Sequence, residues 1–90
     1  MRITSFEWDE ENTGHIARHG IHPEEAEEAC GNDPFILKGR EGLYLIYSQT
    51  ESGRYLLVAA RYRGRQILRP ITARELTAAE KGLCRKNRRR

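Results

Sequence analysis

Cysteine is scarce in this chain, which excludes the usual ways of cross-linking a small protein. Its 90 residues contain only two cysteines, Cys30 and Cys84, and their separation matches no metal-ligand spacing. Such a pair does not make a disulfide framework of the secreted type, so we expect two reduced structural thiols. No repeat, linker or low-complexity segment is visible, and the sequence predicts no metal or cofactor site.

Long apolar runs are also absent. No stretch approaches the roughly 20 apolar residues that cross a bilayer, and the N-terminus lacks the apolar region of a signal peptide. We therefore expect a cytoplasmic protein with no membrane partner. A chain of 90 residues forms one domain, residues 1–90, with one modest core. It has no room for a cofactor-binding fold beside a catalytic domain.

Each half of the chain is poor in charge of one sign. Residues 1–50 have ten acidic and four basic side chains, a net of −6, and residues 51–90 have three acidic and twelve basic ones, a net of +9. A basic half suits a polyanion such as nucleic acid. The alternative is a solvated surface with a basic tail, and charges this unequal also invite ion pairs between the two halves.

Capping and turn signals place the helices. Asp9 is a good N-cap for a helix that runs to about His19 and ends at Gly20. A second helix begins at Pro23 and ends at the turn of residues 31–34. In the last helix, Thr77 and Glu80 form a capping box, and residues 86–90 are expected to be a frayed basic tail.

The remaining segments have the composition of strands. A short strand is predicted over residues 2–8, and four more over residues 35–37, 43–48, 54–62 and 66–73, joined by glycine-containing turns. Pro70 has no N–H to give to a neighbouring strand, which predicts an edge or a bulge in the last one. The fold class is therefore α+β, a small, mostly antiparallel sheet packed with three helices in the order β-α-α-β-β-β-β-α.

Several stretches, taken together in order and spacing, resemble the BrnT family, the toxins of bacterial type II toxin–antitoxin pairs. They are residues 6–9 with Asn12, residues 16–21 followed by 23–25, residues 53–56, and residues 71–74 followed by Thr77 and Glu80. The likeness covers roughly residues 6–86. A tyrosine is usual in the family four residues after the Glu80 position, and Cys84 stands there in this chain.

The resemblance implies a compact fold similar to the RelE-type ribonuclease toxins and an activity that cleaves RNA and arrests growth. It also implies a cognate antitoxin similar to BrnA, with a ribbon-helix-helix DNA-binding domain. Operator DNA would be bound only through the complex, as a dimer or as a heterotetramer with the antitoxin. Two alternatives stay open: a non-catalytic module that binds the antitoxin and helps to repress the operon, and a plain RNA-binding domain.

Metal-free cleavage of RNA needs a base for the ribose 2′-OH, cations for the phosphorane and an acid for the leaving oxygen. His19 is the candidate acid or base, because its ordinary pKa is near neutrality. The alternative role is a cap on the last carbonyls of the first helix. His15 and His19 are one helical turn apart, but a zinc site lacks an evident third ligand.

Arginine supplies the candidate phosphate ligands, since a guanidinium fork matches phosphate oxygens. Arg69 and Arg74 are assigned to catalysis, and the alternative for Arg74 is an ion pair with the acidic first half. The RNA-binding candidates are Arg61, Arg63, Tyr62 and Thr72. Arg61 and Arg63 alternate along one strand and should share its outer face if Leu56, Val58 and Ala60 face the core.

Aromatic residues offer further contacts. Tyr55 and Tyr62 should lie on opposite faces of that strand, and whichever is exposed could stack on RNA. Trp8, beside Phe6, is better explained as part of the core.

Overall fold

The computed structural model describes residues 2–88 of the chain. The helices are α1 (Glu10–Ala17), α2 (Pro23–Cys30) and α3 (Ala78–Asn87); the strands are β1 (Ser5–Phe6), β2 (Phe35–Lys38), β3 (Leu43–Gln49), β4 (Tyr55–Gly64) and β5 (Ile67–Glu75). A 3-10 turn, Arg40–Gly42, joins β2 to β3. The predicted α+β class and element order are confirmed.

The strands form one sheet in the order β1-β5-β4-β3-β2. Strands β2 to β5 are joined by short turns and pair antiparallel with their neighbours, whereas β1 pairs parallel with β5. The N-terminal strand therefore lies beside the last strand, not beside the next one in sequence. None of the helices within residues 2–88 is long and apolar enough to cross a membrane.

Helices cover the two faces of the sheet unequally. One face, here called the paired-helix face, packs against α1 and α2. Its buried core includes Ile16, Leu56, Val58, Ala60 and Leu68. The opposite face, here the α3 face, has a smaller core of Tyr47, Leu76 and Cys84, with Tyr55 and Leu57 packed against it. The predicted inward set of Leu56, Val58 and Ala60 is confirmed, and Tyr55 and Tyr62 do lie on opposite faces of β4.

The predicted caps of α1 and α3 form as the sequence suggests. Asp9 accepts from the Asn12 N–H at 3.1 Å, and the Asn12 side chain accepts from the Asp9 N–H at 2.8 Å. At α3, Thr77 Oγ1 accepts from the Glu80 N–H at 3.2 Å, and Glu80 accepts from the Thr77 N–H at 2.9 Å. Each helix therefore begins with donors paired inside its own first turn.

Strand β1 is much shorter than the predicted strand over residues 2–8. It pairs only with Ile67 and Leu68 of β5. Beyond Leu68 this edge of β5 is occupied, because Pro70 has no N–H to offer and its carbonyl accepts from Asn12 Nδ2 of α1 at 2.8 Å. Helix α1 thus takes the place that a longer β1 would have filled.

Pro70 lies next to a bulge, one of the two arrangements that the sequence allowed. Opposite β4, Pro70 pairs with Ala60 and Thr72 pairs with Ala59, so Ile71 is the extra residue. Arg69 and Arg74 are five positions apart, and a regular strand would direct them to opposite faces. With Ile71 outside the alternation, both lie on the α3 face.

Part of the stretch predicted to be a frayed basic tail, residues 86–90, belongs to the described part of the chain. Helix α3 continues to Asn87. Arg88 then donates to the carbonyls of Asn32 and Asp33 and to Gln49 Oε1, at 2.8, 3.0 and 3.2 Å. These hydrogen bonds fix the end of α3 against the start of β2. Residues 89 and 90 lie outside the described part of the chain.

Candidate nucleic-acid interface

The α3 face carries a row of three arginines, Arg61, Arg69 and Arg74, which we call the arginine row. Arg61 pairs with Arg69 in register, and Arg74 pairs with Leu57. Four residues of β4 therefore separate the two ends of the row, about 13 Å at the rise of a strand. Between the ends lie the small side chains of Ala59 and Thr72. The row is therefore long enough to contact more than one phosphate of a nucleic acid, whose stacked strands repeat every ~3.4 Å.

Arg74 is held by α3 at one end of the row. Its Nη1 and Nη2 donate to the two carboxylate oxygens of Glu80, both at 2.8 Å, and Nη1 also donates to the Glu75 carbonyl at 3.1 Å. Arg74, with the Thr77 N–H, lowers the pKa of Glu80 from 4.5 to about 2. The alternative partner expected for Arg74, the acidic first half of the chain, is wrong, since the carboxylate that it binds comes from α3.

Arg69, at the other end of the row, does pair with the acidic first half. Its Nη1 lies 2.9 Å from Asp9 Oδ2 and 3.6 Å from Glu7 Oε1, and its Nη2 lies 3.6 Å from Glu11 Oε1. The hydrogen bond from Arg69 is the main reason why the pKa of Asp9 is lowered. The Arg69 side chain is only 17% exposed, against 41% for Arg74. Arg74 is therefore the more accessible cation.

Arg61 and Arg63 complete the basic side of β4. Arg61 Nη1 donates to the Glu41 carbonyl in the turn before β3. Arg63 Nε lies 3.3 Å from Glu7 Oε1, the carboxylate oxygen that Arg69 also approaches. The structure thus brings Arg63 and Arg69 together through one glutamate.

Tyr62 is not part of this surface. It pairs with Leu68 and shares the paired-helix face with it. Its hydroxyl accepts from the Gln66 N–H at 2.8 Å, and the residue remains 42% exposed. The aromatic residue beside Arg74 is Tyr47, which belongs to the small core under α3. Glu80 raises the pKa of Arg74, and Tyr47 adds a smaller electrostatic part. Alternation of Leu45 and Tyr47 in β3 was the signal that could have identified it.

His19 is not brought to the arginine row either. It is exposed just beyond α1, where its N–H donates to the Ile16 carbonyl at 3.0 Å. The next carbonyl, that of Gly20, accepts from Arg54 at 3.0 Å, and Arg54 also binds Glu25 and Glu75. His19 thus stands on the paired-helix side of the sheet, and its catalytic role stays a prediction.

His15, considered from the sequence only as a zinc ligand, lies near the Arg69 end of the arginine row. It lines a cavity of about 150 Å³ together with Glu11, Asn12, Arg69 and Ile71. The sequence signal for this position is the spacing of the two residues, because His15 lies three residues after Asn12 and therefore on the same side of α1, and Asn12 binds β5. Across residues 2–88, no three His, Cys, Asp or Glu side chains cluster as a metal site.

Trp8 and the cysteines serve the interior. Trp8 packs against the main core, as predicted, and its Nε1 donates to Glu27 Oε2 at 2.8 Å. Both thiols are free; burial raises the pKa of Cys30 to about 12 and also raises that of Cys84. Cys84 is fully buried on the side of α3 that faces the sheet. At the position where the BrnT family usually has a tyrosine, this chain therefore has a packing residue.

Comparison with models of known protein families finds no match, and no curated protein matches the chain.

Proposed function

We propose that this protein is a metal-independent endoribonuclease, acting as the toxin of a type II toxin–antitoxin pair similar to BrnT and BrnA. The observation that carries the proposal is the arginine row, which collects Arg61, Arg69 and Arg74 on one face of the sheet. The resemblance of residues 6–86 to BrnT toxins adds the reaction and the partner. The site of action is the bacterial cytoplasm.

The reaction begins with attack of a ribose 2′-OH on the adjacent phosphate. Negative charge grows on the phosphorane oxygens, and a guanidinium stabilises it best by paired hydrogen bonds. Arg74 is assigned this role because 41% of its side chain is exposed. Proton transfer at this phosphate is not assigned to His15, because His15 lies in the cavity beside Arg69, at the opposite end of the row from Arg74.

The partner in this proposal is a ribbon-helix-helix antitoxin. The toxin itself would bind RNA, and operator DNA would be bound only by the toxin–antitoxin complex. A dimer, or a heterotetramer with the antitoxin, is the expected assembly. The antitoxin would neutralise the toxin by covering the arginine row, so that RNA and antitoxin compete for it.

The test compares two arginine substitutions of equal charge. Purified wild-type protein, Arg74→Ala and Arg18→Ala are incubated with single-stranded RNA in excess chelator, with and without ribosomes. Arg18 is the control because it is exposed at the end of α1, away from the row. We expect cleavage that leaves 2′,3′-cyclic phosphate ends, a loss of about a hundredfold in Arg74→Ala, and wild-type rates in Arg18→Ala.

Regulated expression in a bacterial host gives the parallel result. Growth arrest and RNA fragmentation should occur with wild-type protein and vanish with Arg74→Ala. Intact RNA in every condition, from folded and well-expressed wild-type protein, would contradict the ribonuclease proposal.

A second candidate function is a non-catalytic module that binds the antitoxin and contributes to operon repression. A specific observation favours it: each arginine of the row already has an acceptor within the protein. Under this alternative, antitoxin binding survives while RNA stays intact. A plain RNA-binding domain would instead show affinity that falls steeply with salt, without cleavage.

A further inference from the structure

We propose that Glu80 is a positioning residue, which holds Arg74 so that one edge of its guanidinium stays free to bind two oxygens of an RNA phosphate. The inference rests on the proposed function, because it takes RNA as the substrate. It adds a residue of α3 that would not itself touch the RNA.

The first observation is how the guanidinium is held. Glu80 accepts from Nη1 and Nη2 at 2.8 Å each, which is the end-on, bidentate arrangement. The second N–H of Nη1 is directed to the Glu75 carbonyl at 3.1 Å. Two partners on two sides therefore fix both the position and the plane of the group.

The second observation is what remains unused. A guanidinium has five N–H groups, and three of those in Arg74 have acceptors in Glu75 and Glu80. The Nε–H and the second N–H of Nη2 have no acceptor among residues 2–88. They lie side by side along one edge of the guanidinium plane, in the geometry that binds phosphate oxygens in pairs. The side chain is 41% exposed.

The third observation is that Glu80 is itself anchored. Its Oε1 also accepts from the Thr77 N–H at 2.9 Å. One turn later Cys84 is fully buried against the sheet, and the Lys81 and Arg85 cations lie 5.8 and 5.7 Å from the centre of the Tyr55 ring. The carboxylate is thus held on a helix that is anchored to the sheet at Cys84 and at the Tyr55 ring, which suits a group that must orient another.

A positioning role of Glu80 can be distinguished kinetically from a role in stability and from one in which Glu80 only neutralises the charge of Arg74. Glu80 neutralises Arg74, so its removal adds positive charge to the row and should not weaken RNA binding. Loss of the orientation should instead lower the rate at saturating RNA, by about tenfold to a hundredfold. If Glu80 only masked Arg74, its removal would raise both affinity and rate.

The experiment is a double-mutant cycle measured by RNA cleavage. Its members are wild type, Glu80→Gln, Arg74→Lys and the double variant, with Thr77→Ala as the control for helix capping. Thr77→Ala removes the Oγ1 acceptor of the Glu80 N–H but leaves the hydrogen bonds that Arg74 donates to Glu80. All assays are run far below the unfolding temperature of the least stable variant.

We expect kcat to fall about tenfold or more in Glu80→Gln and in Arg74→Lys, while KM does not rise in Glu80→Gln. The double variant should be no slower than the slower single one, because both changes remove the same oriented fork. Thr77→Ala should keep a kcat close to that of wild type. The inference is overturned by an unchanged or increased kcat in Glu80→Gln, by losses that multiply in the double variant, or by an equal loss in Thr77→Ala.

A second measurement separates this inference from the nuclease itself. The probe is a 2′-O-methyl RNA oligonucleotide, which cannot be cleaved, and the signal is the arginine Nε–H resonance that Arg74→Lys removes. The resonance should shift on saturation with the probe in wild type and lose that shift in Glu80→Gln. A shift of the resonance without any cleavage of RNA would refute the nuclease function but support phosphate binding by the positioned Arg74. An unmoved resonance, or no binding of the probe, would refute the positioning role of Glu80.

Discussion

Replacing Asn12 by alanine should destabilise the protein far more than is usual for a polar residue in the first turn of a short helix. The side chain is only 2% exposed. Its Nδ2 donates to the carbonyls of Glu7 and Pro70, at 2.9 and 2.8 Å, and its Oδ1 accepts from the Asp9 N–H at 2.8 Å. One side chain therefore joins the segment after β1, the start of α1 and the middle of β5.

The magnitude follows from the groups that lose their partner. A buried polar group without a hydrogen bond costs about 1–3 kcal/mol. The Pro70 carbonyl should bear most of this cost, because its bond to Asn12 is buried, whereas water can reach the part-buried groups of Glu7 and Asp9. We expect the free energy of unfolding to fall by about 3–4 kcal/mol. For a domain of this size that means a melting temperature lower by roughly 15–25 °C.

The assay is urea unfolding followed by circular dichroism, with Asn87→Ala as the matched control. Asn87 is exposed, and its side chain donates only to the Leu83 carbonyl of its own helix. That variant should change stability by less than about 0.5 kcal/mol. A loss below about 1 kcal/mol in Asn12→Ala would refute the reasoning, because it would mean that the three groups find other partners.

Three further outcomes are expected. The pKa of Glu80 is about 2 in the folded protein against an ordinary 4.5, so its ion pair stabilises the fold above about pH 4.5 and this stabilisation is lost as the pH falls toward 2. Between pH 4.5 and pH 2 the free energy of unfolding should therefore decrease less in Glu80→Gln than in wild type. Equal decreases in the two proteins would contradict this prediction. Cys84→Ser should cost about 1–2 kcal/mol in urea unfolding, because a hydroxyl would enter an apolar cluster; unchanged stability would mean that it finds an acceptor. In RNA cleavage, His15→Ala should stay close to the wild-type rate, because His15 lies beside Arg69, about 13 Å along the row from Arg74; a loss of about a hundredfold would mean that the reaction takes place at Arg69 instead.

Local signals explain most of what the sequence could predict about the fold. The caps at Asp9 and Thr77 involve residues three positions apart, and the inward face of β4 follows from alternation. The partner of β1 is a different matter. Ser5 pairs with Ile67, across most of the chain, and no property of either residue indicates the other. The shortness of β1 depends on the same distant contact, since Asn12 and Pro70 close the edge.

The candidate site was predictable only in part, for the same reason. Arginines could be proposed as phosphate ligands from their chemistry alone. The shared face predicted for Arg61 and Arg63 assumed regular alternation, whereas Arg63 lies at a register shift between Tyr62 and Gly64. The position of His15 beside Arg69 could not be predicted, because it depends on the contact from Asn12 to β5; His19, the residue chosen from sequence, lies beyond the end of α1. The ion pair of Arg74 with Glu80 could not be predicted either, because it depends on where α3 lies against the sheet.

Ile71 has a consequence for how the chain can vary in length. Because this residue stands outside the pairing of β5 with β4, a chain without it would keep every other residue of the strand on its present side. A deletion or insertion anywhere else in β5 would exchange interior and surface for all the positions beyond it. The strand therefore has one site at which a change of length leaves the inward and outward sets intact. Aligned relatives should be expected to gain or lose a residue there.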